Sequence, residues 1–98
     1  MFGHIVKMTA TSGRRDSLIG VIFEGIRNMP GCLSYIVAKD GANPDALWIT
    51  EVWDSEASHK ASLLLPAVRA AMSKGQPLIA GMGEPIITTP GGGHGIPA

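Results

Sequence analysis

Ala46-Leu-Trp-Ile-Thr-Glu-Val-Trp53 alternates with period two, and its reading decides the fold. Leu47, Ile49, Glu51 and Trp53 share one face of a strand, and Trp48, Thr50 and Val52 share the other. Both faces carry large apolar groups, so both need cover. Upstream, Asp40-Gly-Ala-Asn-Pro-Asp45 has the residues of a hairpin turn. Before it, Cys32 to Lys39 reads as a partner strand rich in Leu33, Tyr35, Ile36 and Val37. Downstream, Asp54 or Ser55 caps a short helix running to about Leu63, and Pro66 opens another. That second helix turns Val68, Ala71 and Met72 inward and ends at Lys74-Gly75.

Further out, Phe2 to Thr9 reads as a first strand with Phe2, His4, Val6 and Met8 on one face. Ser12 or Gly13 caps a helix from Arg14 to Met29, with Leu18, Ile22, Ile26 and Met29 as its stripe and Ile19 and Phe23 beside it. Arg14-Arg15 marks its exposed start, and Pro30-Gly31 ends it. Leu78 to Thr88 is the last strand, weakened by Gly81 and Gly83. The order is β-α-β-β-α-β with a split second helix, an α+β ferredoxin-like plait over residues 1–90. Residues 91–98 form a Gly-rich tail with no regular element of its own, expected to lie along a partner subunit or a pocket mouth.

The chain has 98 residues, enough for one domain. Charged residues are 16% of it, against about 25% in ordinary soluble domains. A small, charge-poor chain with a two-sided apolar strand is expected to hide surface in a homodimer. The formal net charge is zero, so no electrostatic case exists for nucleic acid or an acidic lipid surface. Cys32 is the single cysteine, so no internal disulfide forms. No apolar run approaches the ~18 residues of a membrane span, and the first eight residues do not make a signal peptide. A cytoplasmic protein is expected.

The ordered set Met29-Pro-Gly-Cys-Leu-Ser-Tyr35, Asn43-Pro44, Glu51-Val-Trp-Asp54, His59 and Pro66 resembles the antibiotic biosynthesis monooxygenase domain. The likeness runs from about residue 2 to residue 88 and leaves the tail outside. It implies a dimeric α+β barrel, two plaits with sheets facing and helices outside, and a pocket in each subunit between sheet and helices. The activities it implies include cofactor-free oxygenation of quinols and anthrones, haem degradation and a sugar-phosphate isomerisation. Haem-degrading members resemble one another in an Asn on the first strand, a Trp closing the third and a His on the last helix. The matching positions here are Val6, Trp53 and Met72, so haem chemistry is not expected. Six residues beyond Trp53, anthrone-oxidising members carry a polar aromatic residue, and this chain carries His59 there, as many quinol-oxidising relatives do.

His59 is accordingly the first catalytic candidate, a base for a bound phenol. Alternatively, it is a surface or interface histidine bonded to a carboxylate. Glu51, an acid in an apolar strand, either orients His59 or His4, bonds a substrate hydroxyl, or makes a structural contact. Trp53 either stacks on a flat aromatic or packs the core. His4, antiparallel to the end of the third strand, is expected beside Glu51 or Trp53. Tyr35, Val6 and Met72 complete the expected substrate contacts. Trp48, of opposite parity, is assigned to the dimer face. His4, His59 and His94 show no metal-ligand spacing, and no flavin, nicotinamide or phosphate motif is present. The expectation is an oxygenase for a small aromatic substrate and O2, with no cofactor. A non-redox isomerase on the same pocket and a non-catalytic ligand-binding dimer are the alternatives.

Overall fold

The alternation of residues 46–53 is realised as β3 (Ala46–Trp53), and a strand flanks it on each side. On one side lies β2 (Cys32–Lys39), joined through the tight turn at residues 40–45. On the other lies β1 (Phe2–Ala10), antiparallel, with His4 opposite Glu51 and Phe2 opposite Trp53. The computed structural model describes residues 1–96, which leaves Pro97 and Ala98 of the tail outside the described residues. The sheet order is β2-β3-β1-β4, with β4 (Ile79–Met82) at the far edge, the ferredoxin-like arrangement. Three helices cover one face: α1 (Arg15–Gly25), α2 (Glu56–Ser62) and α3 (Pro66–Gly75).

Asp40 builds the turn at residues 40–45. Its carboxylate accepts from the backbone N–H groups of Asn43 and Ala42, both at 2.8 Å, and from the Trp48 indole at 2.8 Å. These donors hold its pKa well below the usual carboxylate range, the Asn43 N–H most of all. Trp48 is thereby tied down on the sheet face away from the helices, under Lys7.

Four features differ from the sequence expectation. Helix α1 ends at Gly25, short of Met29, because the chain must turn back to β2; Asn28, with φ of 54°, takes the left-handed conformation that Asn tolerates. Its cap position is Arg14, with no side-chain cap, in place of Ser12 or Gly13. Arg15 is not a free surface charge, since its guanidinium donates to the carbonyls of Asn43 and Ala46 at 3.1 and 3.2 Å. The last strand is two pieces, β4 (Ile79–Met82) and β5 (Ile86–Thr88), both paired with β1. Gly83-Glu84-Pro85 separates them, and Pro85 has no N–H to continue the ladder. Of the tail, Gly93 and Ile96 form one bridge.

The core lies between the sheet and the helices. Val6, Met8, Leu18, Leu47 and Ile49 are buried there, and Trp53 is fully buried at its end. On α1 the buried positions are Leu18, Val21 and Gly25, while Phe23 is 48% exposed. Gly25 permits the close approach of α1 to α3: a Cβ there would lie 2.7 Å from the Ala71 methyl. Alanine at Gly25 gains up to about 1 kcal/mol of helix propensity but overpacks a rigid contact at about 1–3 kcal/mol. Gly25→Ala is therefore expected to lose up to about 2 kcal/mol in denaturant unfolding. A Gly25→Ala variant more stable than the parent by about 1 kcal/mol would mean that the helices slide apart at no cost.

Candidate active site

The helix-facing side of β1 and β3 ends in polar groups. Along β1 the face runs Met8, Val6, His4, and along β3 it runs Leu47, Ile49, Glu51, Trp53. The antiparallel register sets His4 beside Glu51, and Tyr35 of β2 pairs with Glu51 from the other side. Helix α2 then carries His59 over this patch. Ser55 caps α2 by accepting the Ser58 N–H, and the Ser62 hydroxyl donates to the His59 carbonyl at 2.6 Å. Gly31, with φ of 83°, lets the chain pass close to Asp54 and Ser58; a Cβ there would meet Ser58 Oγ at 2.5 Å.

The result is a compact cluster. Glu51 is buried, with its Oε1 accepting from the Trp53 indole N–H at 2.9 Å. His4 Nδ1 lies 3.2 Å from Oε2, and His59 Nε2 lies 3.8 Å from Oε1. The His59 ring packs against three others: His4 at 4.9 Å between centroids, Phe2 at 5.2 Å, and Trp53 edge-on at 5.5 Å. Above the cluster opens a cavity of about 280 Å³ between sheet and helices. Its wall is otherwise apolar, with Leu63, Met72 and Met82 half-exposed at the rim.

Every sequence candidate lines this cavity: His59, Glu51, Trp53, His4, Tyr35, Val6 and Met72. Met72 differs from expectation in degree, since it stands at the mouth, 57% exposed, and not in the interior. Phe2, packed on the His59 ring, and Ser62, on the cavity wall, are among the neighbours that sequence reasoning missed. Phe2 had a visible signal, its shared face with His4, but strand parity alone does not show that a helix will lay an imidazole on it. Primary structure offers no metal-ligand spacing among the histidines, yet the fold brings donor atoms of His4, Glu51 and His59 within 4.8 Å of one another.

Burial is the main influence on His59 and pushes its pKa below the ordinary 6.5; the Glu51 charge pulls it back up, His4 pushes it down again, and Glu56 raises it slightly. His59 is therefore a neutral imidazole at pH 7, able to accept a proton, with a carboxylate placed to stabilise the cation that forms. Tyr35 moves the other way. Burial, then the nearby Glu51 charge, then Cys32, raise its pKa far above the usual phenol range, so it stays a neutral hydroxyl. The cluster thus offers one free base, one buried anion and one phenol donor at the floor of an apolar cavity.

The profile of the antibiotic biosynthesis monooxygenase family matches residues 1–74. Among solved structures, a candidate antibiotic biosynthesis monooxygenase from Chloroflexus aurantiacus is 59% identical, covers 98% of each chain and superposes with a TM-score of 0.94. A counterpart from Deinococcus radiodurans is 24% identical over 95% of each chain, with a TM-score of 0.78. One from Nitrosomonas europaea is 11% identical over 92% of this chain and 98% of its own, with a TM-score of 0.82. The last two share the fold alone. No curated protein matches.

Proposed function

Because the chain belongs to the antibiotic biosynthesis monooxygenase family, we propose that it is a monooxygenase that oxidises a quinol or related electron-rich phenol with O2 and needs no cofactor. Membership in the family and the names of its structural relatives support monooxygenase-like chemistry in general. The single observation behind the finer reading is the His59 imidazole, 3.8 Å from buried Glu51, at the floor of the apolar cavity. His59 takes the phenolic proton. The phenolate is a far better one-electron donor to O2 than the phenol. Glu51 stabilises the imidazolium across 3.8 Å. The apolar walls hold anion and O2 together and keep water out. For a quinol, one oxygen atom enters the ring, the other leaves as water, and the substrate supplies the electrons. Trp53, fully buried and edge-on to His59, contributes a wall and a hydrogen bond to Glu51 more than a stacking platform.

Oxygen uptake with hydroquinones, naphthohydroquinones and anthrones tests this, run metal-free with superoxide scavengers. Enzyme-dependent uptake supports it, and product formation without uptake supports an isomerase instead. The pH profile adds a sign. A base with a lowered pKa stays free below pH ~6.5, so the acidic limb of kcat/KM is expected below that value. Glu51 raises the His59 pKa, so Glu51→Gln should move the limb to still lower pH. The same shift affects stability. The unfolded state takes up the proton first, so stability tied to neutral His59 is complete above pH ~6.5 and falls as pH drops through the lower folded value. A limb above pH 7, or one unmoved by Glu51→Gln, would assign the titration to another group.

The proposal includes a cytoplasmic homodimer with the two sheets face to face. On the face away from the helices, Ile36 and Ile86 are 56% and 54% exposed, beside the half-buried Ile5, Trp48 and Val52. A monomer would leave this face in water. Light scattering should give a mass near twice the 10.2 kDa chain, and Ile36→Glu with Ile86→Glu should lower it toward one chain. A wild-type monomer at micromolar concentration would remove the facing-sheet arrangement.

A further inference from the structure

We infer that His4, Glu51 and His59 form a binding site for a borderline divalent transition-metal ion of the zinc class. Two imidazole nitrogens and one carboxylate are a donor set that such ions favour, and one that Mg²⁺ and Ca²⁺, which take oxygen ligands, do not. The donor atoms come from β1, β3 and α2 and lie within 4.8 Å of one another. Two ligands on one tetrahedral zinc stand roughly 3.4 Å apart. Glu51 reaches the two imidazoles through different oxygens, Oε2 at 3.2 Å from His4 Nδ1 and Oε1 at 3.8 Å from His59 Nε2, so both carboxylate oxygens, or one after a small rotation, would face the ion.

Two further observations point to a missing partner. Nδ1 of His4 is buried and makes no hydrogen bond, although Oε2 of Glu51 is 3.2 Å away, because the two are out of line. Ligands of one ion show this kind of offset, since each lone pair aims at the ion and not at the other ligand. Glu51 itself is buried with one N–H donor, the Trp53 indole, and among the described residues no lysine or arginine pairs with it. A buried carboxylate so lightly compensated is costly, and a cation shared with two imidazoles offsets that cost. The Trp53 N–H would then hold the ligating carboxylate in orientation. All three ligands line the cavity, which leaves the remaining coordination position open to a small molecule.

The site stands independently of the oxygenase reading, because binding is read without turnover. An ion bound there takes up the His59 lone pair, so the oxygenase described above would work only in the metal-free chain and the ion would inhibit it. The experiment is Zn²⁺ titration by calorimetry on the chelator-stripped wild-type chain, with Co²⁺ as a spectroscopic probe. About one Zn²⁺ per chain at micromolar free metal is expected, with Co²⁺ bands of low-coordinate intensity and no uptake of Mg²⁺. His4→Ala and His59→Ala should each weaken Zn²⁺ binding by at least about 100-fold, more than the loss of an outer-shell partner costs. His94→Ala, on the exposed tail, should change nothing. No Zn²⁺ uptake, or uptake undiminished in His59→Ala and lost in His94→Ala, overturns the site. Should His4→Ala fail to fold, His59→Ala and the wild-type Co²⁺ spectrum still decide, since an octahedral, weak spectrum contradicts the three-ligand pocket.

Discussion

Replacing His59 by alanine is expected to lower turnover of an accepted quinol by roughly 10²–10⁴-fold, the usual contribution of a positioned base. The loss should fall mainly on kcat. The cavity walls that bind the ring, above all the apolar groups of β1, β3 and α1, are untouched by the change. His59 sits on the short, surface-borne α2 and is not part of the main core cluster, so the variant should fold. A purely structural role would look different. It would lower stability and KM discrimination together and leave the acidic limb of the pH profile in place. In the proposed role that limb disappears with the imidazole. A decrease under threefold at saturating substrate would take His59 out of the chemistry, and Tyr35 or Glu51 would become the group to test.

Trp53→Ala is expected to be the most destabilising single change in the chain, at about 3–5 kcal/mol. Trp53 is fully buried at the end of β3, so its removal leaves a large void under α2. It also strips Glu51 of its indole donor at 2.9 Å. A buried carboxylate that loses such a donor costs about 1–3 kcal/mol by itself. Total stability for such domains is only about 5–15 kcal/mol, and each kcal/mol is worth about 4–8 °C in Tm. The midpoint should therefore fall by well over 10 °C in thermal unfolding. Trp53→Phe separates the two effects: it keeps most of the volume and removes only the N–H. If Trp53→Ala costs less than about 1 kcal/mol, Trp53 does not close the core and the Glu51 carboxylate is held by something else.

The histidine pair shows how far sequence reasoning reaches. Antiparallel pairing of the first and third strands is enough to set His4 against Glu51, and the register has His4 opposite Glu51. The limits appear where backbone pairing gives way to packing. Nothing in the period of residues 14–29 shows that Gly25 must meet Ala71, so the stripe pattern carried α1 four residues too far. Val21 was passed over for the same reason, because a helix buried against both sheet and helix uses a wider face than one stripe.

By itself the sequence determined the order of the main elements and the faces of β1 and β3. These follow from local periodicity and from turn residues whose backbone preferences are intrinsic. Only the tertiary structure decided how those residues meet. Whether an imidazole on α2 lies over Glu51 depends on the angle at which α2 leaves β3. That angle is set by the Ser55 cap and by the room that Gly31 leaves beside Ser58. The offset between His4 and Glu51, and the 3.8 Å gap to His59, are likewise products of packing. They arise between groups up to 55 positions apart in the chain, counting from His4 to His59 (59 − 4), where no local rule of sequence operates.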